Sequence, residues 1–159
     1  MKRLKSFKGT VYAVGTVQKE IGLVGIRGVA FGIEPDVIVA LDTNIAGDTP
    51  EIKPTESNLA LGEGPVMDLK DAISITNPKV KKWILDTARQ MKMKVQLSVM
   101  SGGATDASMG PLMREGIPSA CIAVPVRYVH TPVEVLDLND MEKAVNLTVE
   151  CVKTAYRYF

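Results

Sequence analysis

Apolar residues along the chain fall into short dense runs, and segments with helical spacing lie between them. Thr10 to Val17 (TVYAVGTV) is rich in β-branched residues and predicts a strand. Asp36 to Leu41 (DVIVAL) is almost wholly apolar and predicts a strand covered on both faces. Between them, GLVGIRGVAFGI places apolar residues at helical spacing among several glycines. Each interior glycine costs about 1 kcal/mol relative to alanine, so the segment predicts a small-residue helix packed closely on a sheet. Residues 43 to 65 are rich in turn formers and predict a long, ligand-facing excursion rather than a linker. Asn77 and Pro78 supply an N-cap and a proline at the first helical position, opening a helix through Met91. Val95 to Met100 is a further strand, and SGGATDASMG makes a tight glycine turn into a helix ending near Gly116. Ser119 to Val126 (SACIAVPV) is the next strand, and Asn139 with Glu142 resembles a capping box opening a last helix. Strands alternating with helices predict a three-layer α/β/α sandwich, mostly parallel, with ligands bound beyond the carboxyl ends of the strands. The chain has no internal repeat and no low-complexity segment, and residues 1–159 are expected to form one domain.

Composition narrows the function classes. A chain of 159 residues can bury a continuous core without disulfides or a structural metal. Nineteen basic and eighteen acidic residues leave a net charge of +1, with no block of like charge. That argues against a nucleic-acid groove and against a polybasic membrane anchor. Cys121 sits in a strand-like run and Cys151 in a helical pattern, so both are expected as small buried hydrophobes in a reducing compartment. The basic N-terminus is followed by too short an apolar stretch for a signal peptide, and no run approaches the ~18 apolar residues of a membrane span. A cytoplasmic protein is expected.

Three ionisable residues follow the apolar runs closely. Glu20 comes after the first strand, Asp42 after the second, and His130, the sole histidine, after the fourth. In a parallel sheet those ends share one edge, where two oxygen donors and one nitrogen donor suit a divalent ion such as zinc, cobalt or manganese. Each residue also has a plainer role: Glu20 at a helix start, Asp42 closing a strand, His130 hydrogen-bonded in a loop. Asp106 is placed to cap the helix after the glycine turn. Ser101 and Ser108 lack a G-x-S-x-G elbow, which speaks against a serine hydrolase. Arg127 beside Tyr128 can clamp a carboxylate or carbonyl, or form a structural ion pair.

Taken together, TVQKEIGLVGIRG, VIVALDTNIAGDTP, LGEGP, GGATDAS and PVRYVHTPVEVLDLNDME resemble, in order and spacing, the dinuclear-metal aminopeptidases of metallopeptidase family forty-two. These are the tetrahedral (TET) glutamyl and leucyl aminopeptidases, some of which carry an endoglucanase label. The resemblance implies a zinc-exopeptidase-like α/β domain with a zinc or cobalt pair, a bridging water and an inserted β-domain used in assembly. It implies that Glu20 and His130 match ligands of one metal and Asp42 a ligand of the other. Asp106, Arg127 and Tyr128 match residues lining the substrate side. The family's usual pair at residues 19 and 20 is Glu-Glu, the first being the general base; here it is Lys19 and Glu20. A lysine cannot accept the water's proton unless strongly depressed in pKa, and it changes the local charge by two units against metal binding. Its ammonium is instead expected to pair with Glu20 or Asp42 in place of a metal.

A histidine ligand and a bridging aspartate that precede the TVQ strand in the family, and the inserted domain, have no counterpart in this chain. The start of the sequence resembles the last turn of a helix entering that strand, as in a partial catalytic domain. The resemblance therefore implies at most one weakly held ion and little or no activity for the chain alone. Its partners would be a peptide substrate, further copies of itself, or a chain supplying the missing N-terminal half. The alternatives are a non-catalytic assembly or interaction homologue and an endoglucanase, for which Glu20 and Asp42 would be the carboxyl pair.

Overall fold

The computed structural model describes residue 4 and residues 6–159. The helical turn expected at the start of the chain falls on residues outside that set. In chain order the elements are α1 (Val24–Ile33), β1 (Ile38–Ile45), β2 (Val66–Lys70), α2 (Pro78–Gln90), β3 (Gln96–Val99), β4 (Ser119–Arg127), β5 (Val135–Leu136) and α3 (Leu138–Thr154), with short 3-10 helices at Asp106–Leu112 and Ala155–Arg157.

The sheet has the order β1-β4-β2-β3, with β5 also on β4. β1 runs parallel to β4 over eight residue pairs, from Ile38 opposite Ser119 to Ile45 opposite Val126. β2 and β3 are parallel to each other, but β2 is antiparallel to β4, as is β5. The sheet is therefore mixed, with its longer pairings parallel, as the sequence predicts. The reversal comes from β2, a five-residue strand that the turn-rich stretch before it hides in the sequence.

Side-chain alternation assigns the two faces. Met67, Ala120 and Ile122 point toward α2 and α3, where Val80, Trp83, Ile84, Leu147 and Cys151 complete the main core. Full burial of each large apolar side chain there is worth about 1.5–3 kcal/mol. Trp83 also donates its indole N–H to Thr154 Oγ1 at 3.0 Å, so its one polar atom is satisfied. Ala40, Val66, Cys121 and Ala123 face the other way, toward Leu59 and Ala107. Beyond them, α1 and the 106–112 helix share a smaller core of Leu23, Ile26 and Met109. Helices thus cover both faces, and both cysteines are buried and free. Among the described residues no helix is long and apolar enough to cross a membrane.

Four local expectations are corrected. Thr10–Val17 is not a strand: its residues are irregular, with Tyr12 62% and Val17 66% exposed. β-Branched content gives propensity, but a strand needs a second backbone, and none of the described residues pairs with this one. The segment after the glycine turn is a 3-10 helix that ends at Leu112, where Pro111 lies inside its last turn, and not a helix to Gly116. The last helix opens two residues earlier than expected, with Asp137 rather than Asn139 as N-cap, accepting from the Asn139 amide at 2.7 Å. Asp42 lies inside β1, not after it. By contrast, the Asn77 cap and Pro78 start of α2 stand where expected, Asn77 accepting from the Lys79 amide at 2.9 Å.

Candidate active site

A cavity of about 930 Å³ lies on the α1 side of the sheet. Lys19, Glu20 and Arg27 reach it from the segment entering α1 and from α1 itself, and Asp42 and Asn44 from β1. Ser98 reaches it from β3, residues 101–105 from the glycine turn, and His130 and Glu134 from the loop joining β4 to β5.

The Lys19 turn is fixed by its own backbone. The amides of Leu23, Val24 and Gly25 donate to the carbonyls of Lys19, Gln18 and Val17 at 3.1, 3.3 and 3.0 Å. Gly25 is needed for that closure, because a Cβ there would stand 2.6 Å from both the nitrogen and the oxygen of Val17. Gln18 and Leu23 take left-handed φ values of 57° and 55°, and across the cavity Tyr128 and His130 take 60° and 62°. Such conformations cost non-glycine residues of order 1–3 kcal/mol each and gather where a site is held in a set shape.

Four of the expected site residues come together. Lys19 Nζ is 3.0 Å from Asp42 Oδ2 and 3.6 Å from Glu20 Oε1, and His130 Nε2 is 3.4 Å from Glu20 Oε2. The Lys19 and Asp42 side chains are only 25% and 19% exposed, whereas those of Glu20 and His130 are mostly in solvent. Burial pulls the Lys19 ammonium downward in pKa, but the Asp42 and Glu20 carboxylates outweigh it, and the net displacement is above the ordinary lysine value. Lys19 is therefore a fixed cation at neutral pH. The His130 amide donates to Glu134 Oε1 at 2.7 Å, which anchors the histidine's loop.

These residues do not fit a bound divalent ion. The ammonium already stands against Asp42 and beside Glu20, neutralising one of their two charges. Among the described residues no three histidine, cysteine or acidic side chains are arranged to hold a metal.

The other three expected site residues stand apart from this cluster. Asp106 accepts from Thr16 Oγ1 at 2.6 Å and opens the 106–112 helix as its first residue, while Thr105 is the N-cap. Its Oδ1 is buried without a hydrogen-bond partner. Arg127 pairs with Asp48 at 2.5 Å, and this hydrogen bond holds the Asp48 carboxyl below the usual carboxylate range. Of the two roles open to Arg127 in the sequence, the structural ion pair is the one formed. Tyr128 is exposed at the start of the β4–β5 loop. Ser108 is fully buried and donates to Asp71, which leaves it no access to a substrate.

A polar cluster beneath the cavity has no signal in the sequence reading. Asn44 Nδ2 donates to Asp68 Oδ1 at 2.6 Å and to Ser98 Oγ at 3.2 Å, and all three side chains are buried. Asp68 Oδ2 and Thr105 Oγ1 have no hydrogen-bond partner. Burial pushes the Asp68 carboxyl up to about 6, outweighing the opposite pull of the neighbouring Cys121, Asn44 and Ser98 side chains. Burial and the nearby Asp68 and Asp42 charges push the Cys121 thiol well up, so it is not a nucleophile.

A mixed sheet with helices on both faces and a polar cavity over one of them defines an α/β protein with a candidate ligand site. The chain belongs to the M42 glutamyl aminopeptidase family, whose sequence profile matches residues 1–147. A TET aminopeptidase from the marine sediment archaeon Thaumarchaeota archaeon SCGC AB-539-E09 is 41% identical and superposes with a TM-score of 0.84, over 87% of this chain and 39% of that one. A TET1 peptidase of Pyrococcus horikoshii, which can assemble into a tetrahedron or a large octahedral shell, is 30% identical with a TM-score of 0.74, over 86% of this chain and 39% of that one. The lysyl aminopeptidase of Pyrococcus furiosus is 33% identical over 150 residues, covering 92% of this chain and 41% of the relative. The chain thus spans about two fifths of the length of these relatives.

Proposed function

We propose that this chain retains the substrate-site scaffold of an M42 aminopeptidase but does not hydrolyse peptides by itself. The observation that carries this reading is the Lys19 ammonium, 3.0 Å from Asp42 and displaced upward in pKa, at the position the family resemblance gives to the general base. A proton acceptor for water must be unprotonated at working pH, and a lysine stabilised as a cation by two carboxylates is not. The same cation opposes a tightly held zinc or cobalt ion at Glu20, Asp42 and His130. Asp106, Arg127 and Tyr128 would then shape the wall around a peptide rather than take part in chemistry.

As a non-hydrolytic homologue the chain would act through association. Its first candidate partner is a second copy of itself, in line with the shells of the Pyrococcus horikoshii relative. A separate chain carrying the rest of the catalytic domain is the other. The test is a panel of aminoacyl p-nitroanilides, including glutamyl, leucyl and lysyl forms, with zinc, cobalt or manganese added. The expected result is no release of p-nitroaniline above a heat-treated control. Turnover by the chain alone would overturn the proposal.

A further inference from the structure

We propose that the outward side of α3 is a docking surface for a second copy of this chain, the two helices packing antiparallel about a two-fold axis at Val145. The inference rests on the association reading given above and adds to it the face, the direction and the register.

The sequence of α3 carries two apolar stripes where a surface helix needs one. Ala144, Leu147 and Cys151 form the inner stripe, buried in the main core where α3 packs on β4 and α2. Leu138, Met141, Val145, Val149 and Val152 recur at intervals of three, four, four and three residues, which gathers them on a separate, outward side. None of these five belongs to a core cluster of the described residues. Leu138 is 76%, Met141 48% and Val145 41% exposed, and Val149 and Val152 are half-buried. A helix apolar on two sides has the pattern of one buried between two bodies.

The area suits a whole interface. Ahead of α3 the patch continues through Val133, Val135 and Leu136, all exposed. Together these residues present roughly 500 Å² of apolar surface, at the upper end of what a monomer shows in one patch. A standard interface takes about 800 Å² from each partner, somewhat over half of it apolar, so the patch supplies what one such interface needs.

Register and charge point to a second copy as the occupant. The stripe is symmetric about Val145, with Leu138 and Val152 seven residues to either side and Met141 and Val149 four. An antiparallel two-fold sets Leu138 on the partner's Val152, Met141 on the partner's Val149 and Val145 on the partner's Val145. That is the self-complementarity an isologous dimer requires. Asp137 caps the start of α3 and Lys153 lies in its last turn, each eight residues from Val145. The antiparallel pair places Asp137 beside the partner's Lys153 and opposes the helix dipoles, whereas a parallel pair would bring like ends together.

The test is disulfide trapping under mild oxidant, with sedimentation velocity on the full chain. Cys121 and Cys151 are buried, which keeps the background low. Val145→Cys is expected to trap a covalent dimer in high yield. Leu138→Cys and Val152→Cys are expected to trap little when made singly, and as much as Val145→Cys when combined. Val145→Glu, which sets two carboxylates face to face at the axis, is expected to raise the dimer Kd at least about tenfold. Leu41→Lys, on β1, is expected to leave trapping through Val145→Cys unchanged, and loss of trapping there would overturn the proposal. So would an oligomeric parent whose Val145→Cys variant does not cross-link, Leu138→Cys trapping as readily by itself, or Val145→Glu associating like the parent. Should Val145→Glu not fold, the cysteine variants decide alone. A monomeric parent would overturn the association reading and this proposal with it. An oligomer that fails to cross-link overturns this face alone, and neither result bears on the hydrolysis assay.

Discussion

Asp68 shows how far a single buried residue can depart from its ordinary chemistry. It lies on a strand, with Asn44 on one oxygen and nothing on the other, and burial raises its carboxyl to about 6. A carboxyl raised in the folded state favours folding in its protonated form. Its contribution is therefore fully present below about pH 4, and is lost as the pH climbs through about 6. Asp68→Asn keeps the shape and removes the charge, so it is expected to raise stability at pH 8 by roughly 2–3 kcal/mol, with the difference vanishing near pH 4. Urea midpoints of variant and parent across that range check this, and a pH-independent difference would refute it. The contrast with Lys19 is one of legibility. Lys19 announces itself by standing next to Glu20 where a second glutamate is usual, and its pairing with Asp42 and Glu20 follows from charge alone. Asp68 could not be found this way, because its importance comes from burial on a strand that composition does not reveal. Arg127 was legible only as a choice, and Asp48, brought near by the loop after β1, makes the choice.

The elements most readable in the sequence are those with local signals. Asn77-Pro78 fixes the start of α2, and the apolar runs of β1, β3 and β4 place those strands to within a few residues. Elements defined by distant partners were not readable: β2 depends on pairing with β3 and β4, and the supposed strand at 10–17 lacks a partner among the described residues. The loop before β2 is secured in the same non-local way. Asp140, in the first turn of α3 and fully buried, accepts from the amides of Gly62 at 2.6 Å and Gly64 at 2.8 Å. Asp140→Ala would leave the buried Gly64 amide unpaired and release the exposed Gly62 amide to water, loosening the loop. It is expected to destabilise the protein by about 3 kcal/mol in urea unfolding. A loss below about 1 kcal/mol would mean the loop is held by other contacts.

For the molecule as a whole, the layered α/β arrangement and its mostly parallel pairing were legible from the alternation of element types, while the antiparallel contacts of β2 and β5 with β4 were not. The exposed surface carries its own consequence. β1 is an edge strand whose Leu41 is 64% exposed, and Val14, Val17 and Ile21 of the preceding segment are exposed as well. Open edges and apolar surface of this kind favour self-association. The native mass is expected to be a multiple of the 17.2 kDa subunit, and Leu41→Lys is expected to shift it downward in light-scattering measurements. A strictly monomeric parent would contradict this. The feature on which the functional reading depends remains the cation in the cavity. It is tested most directly by anomalous diffraction from crystals of the parent chain soaked in zinc. The expected map shows Lys19 Nζ between Asp42 and Glu20, with no anomalous peak among Glu20, Asp42 and His130. A zinc peak there with the lysine swung away would show that the site remains a metal centre.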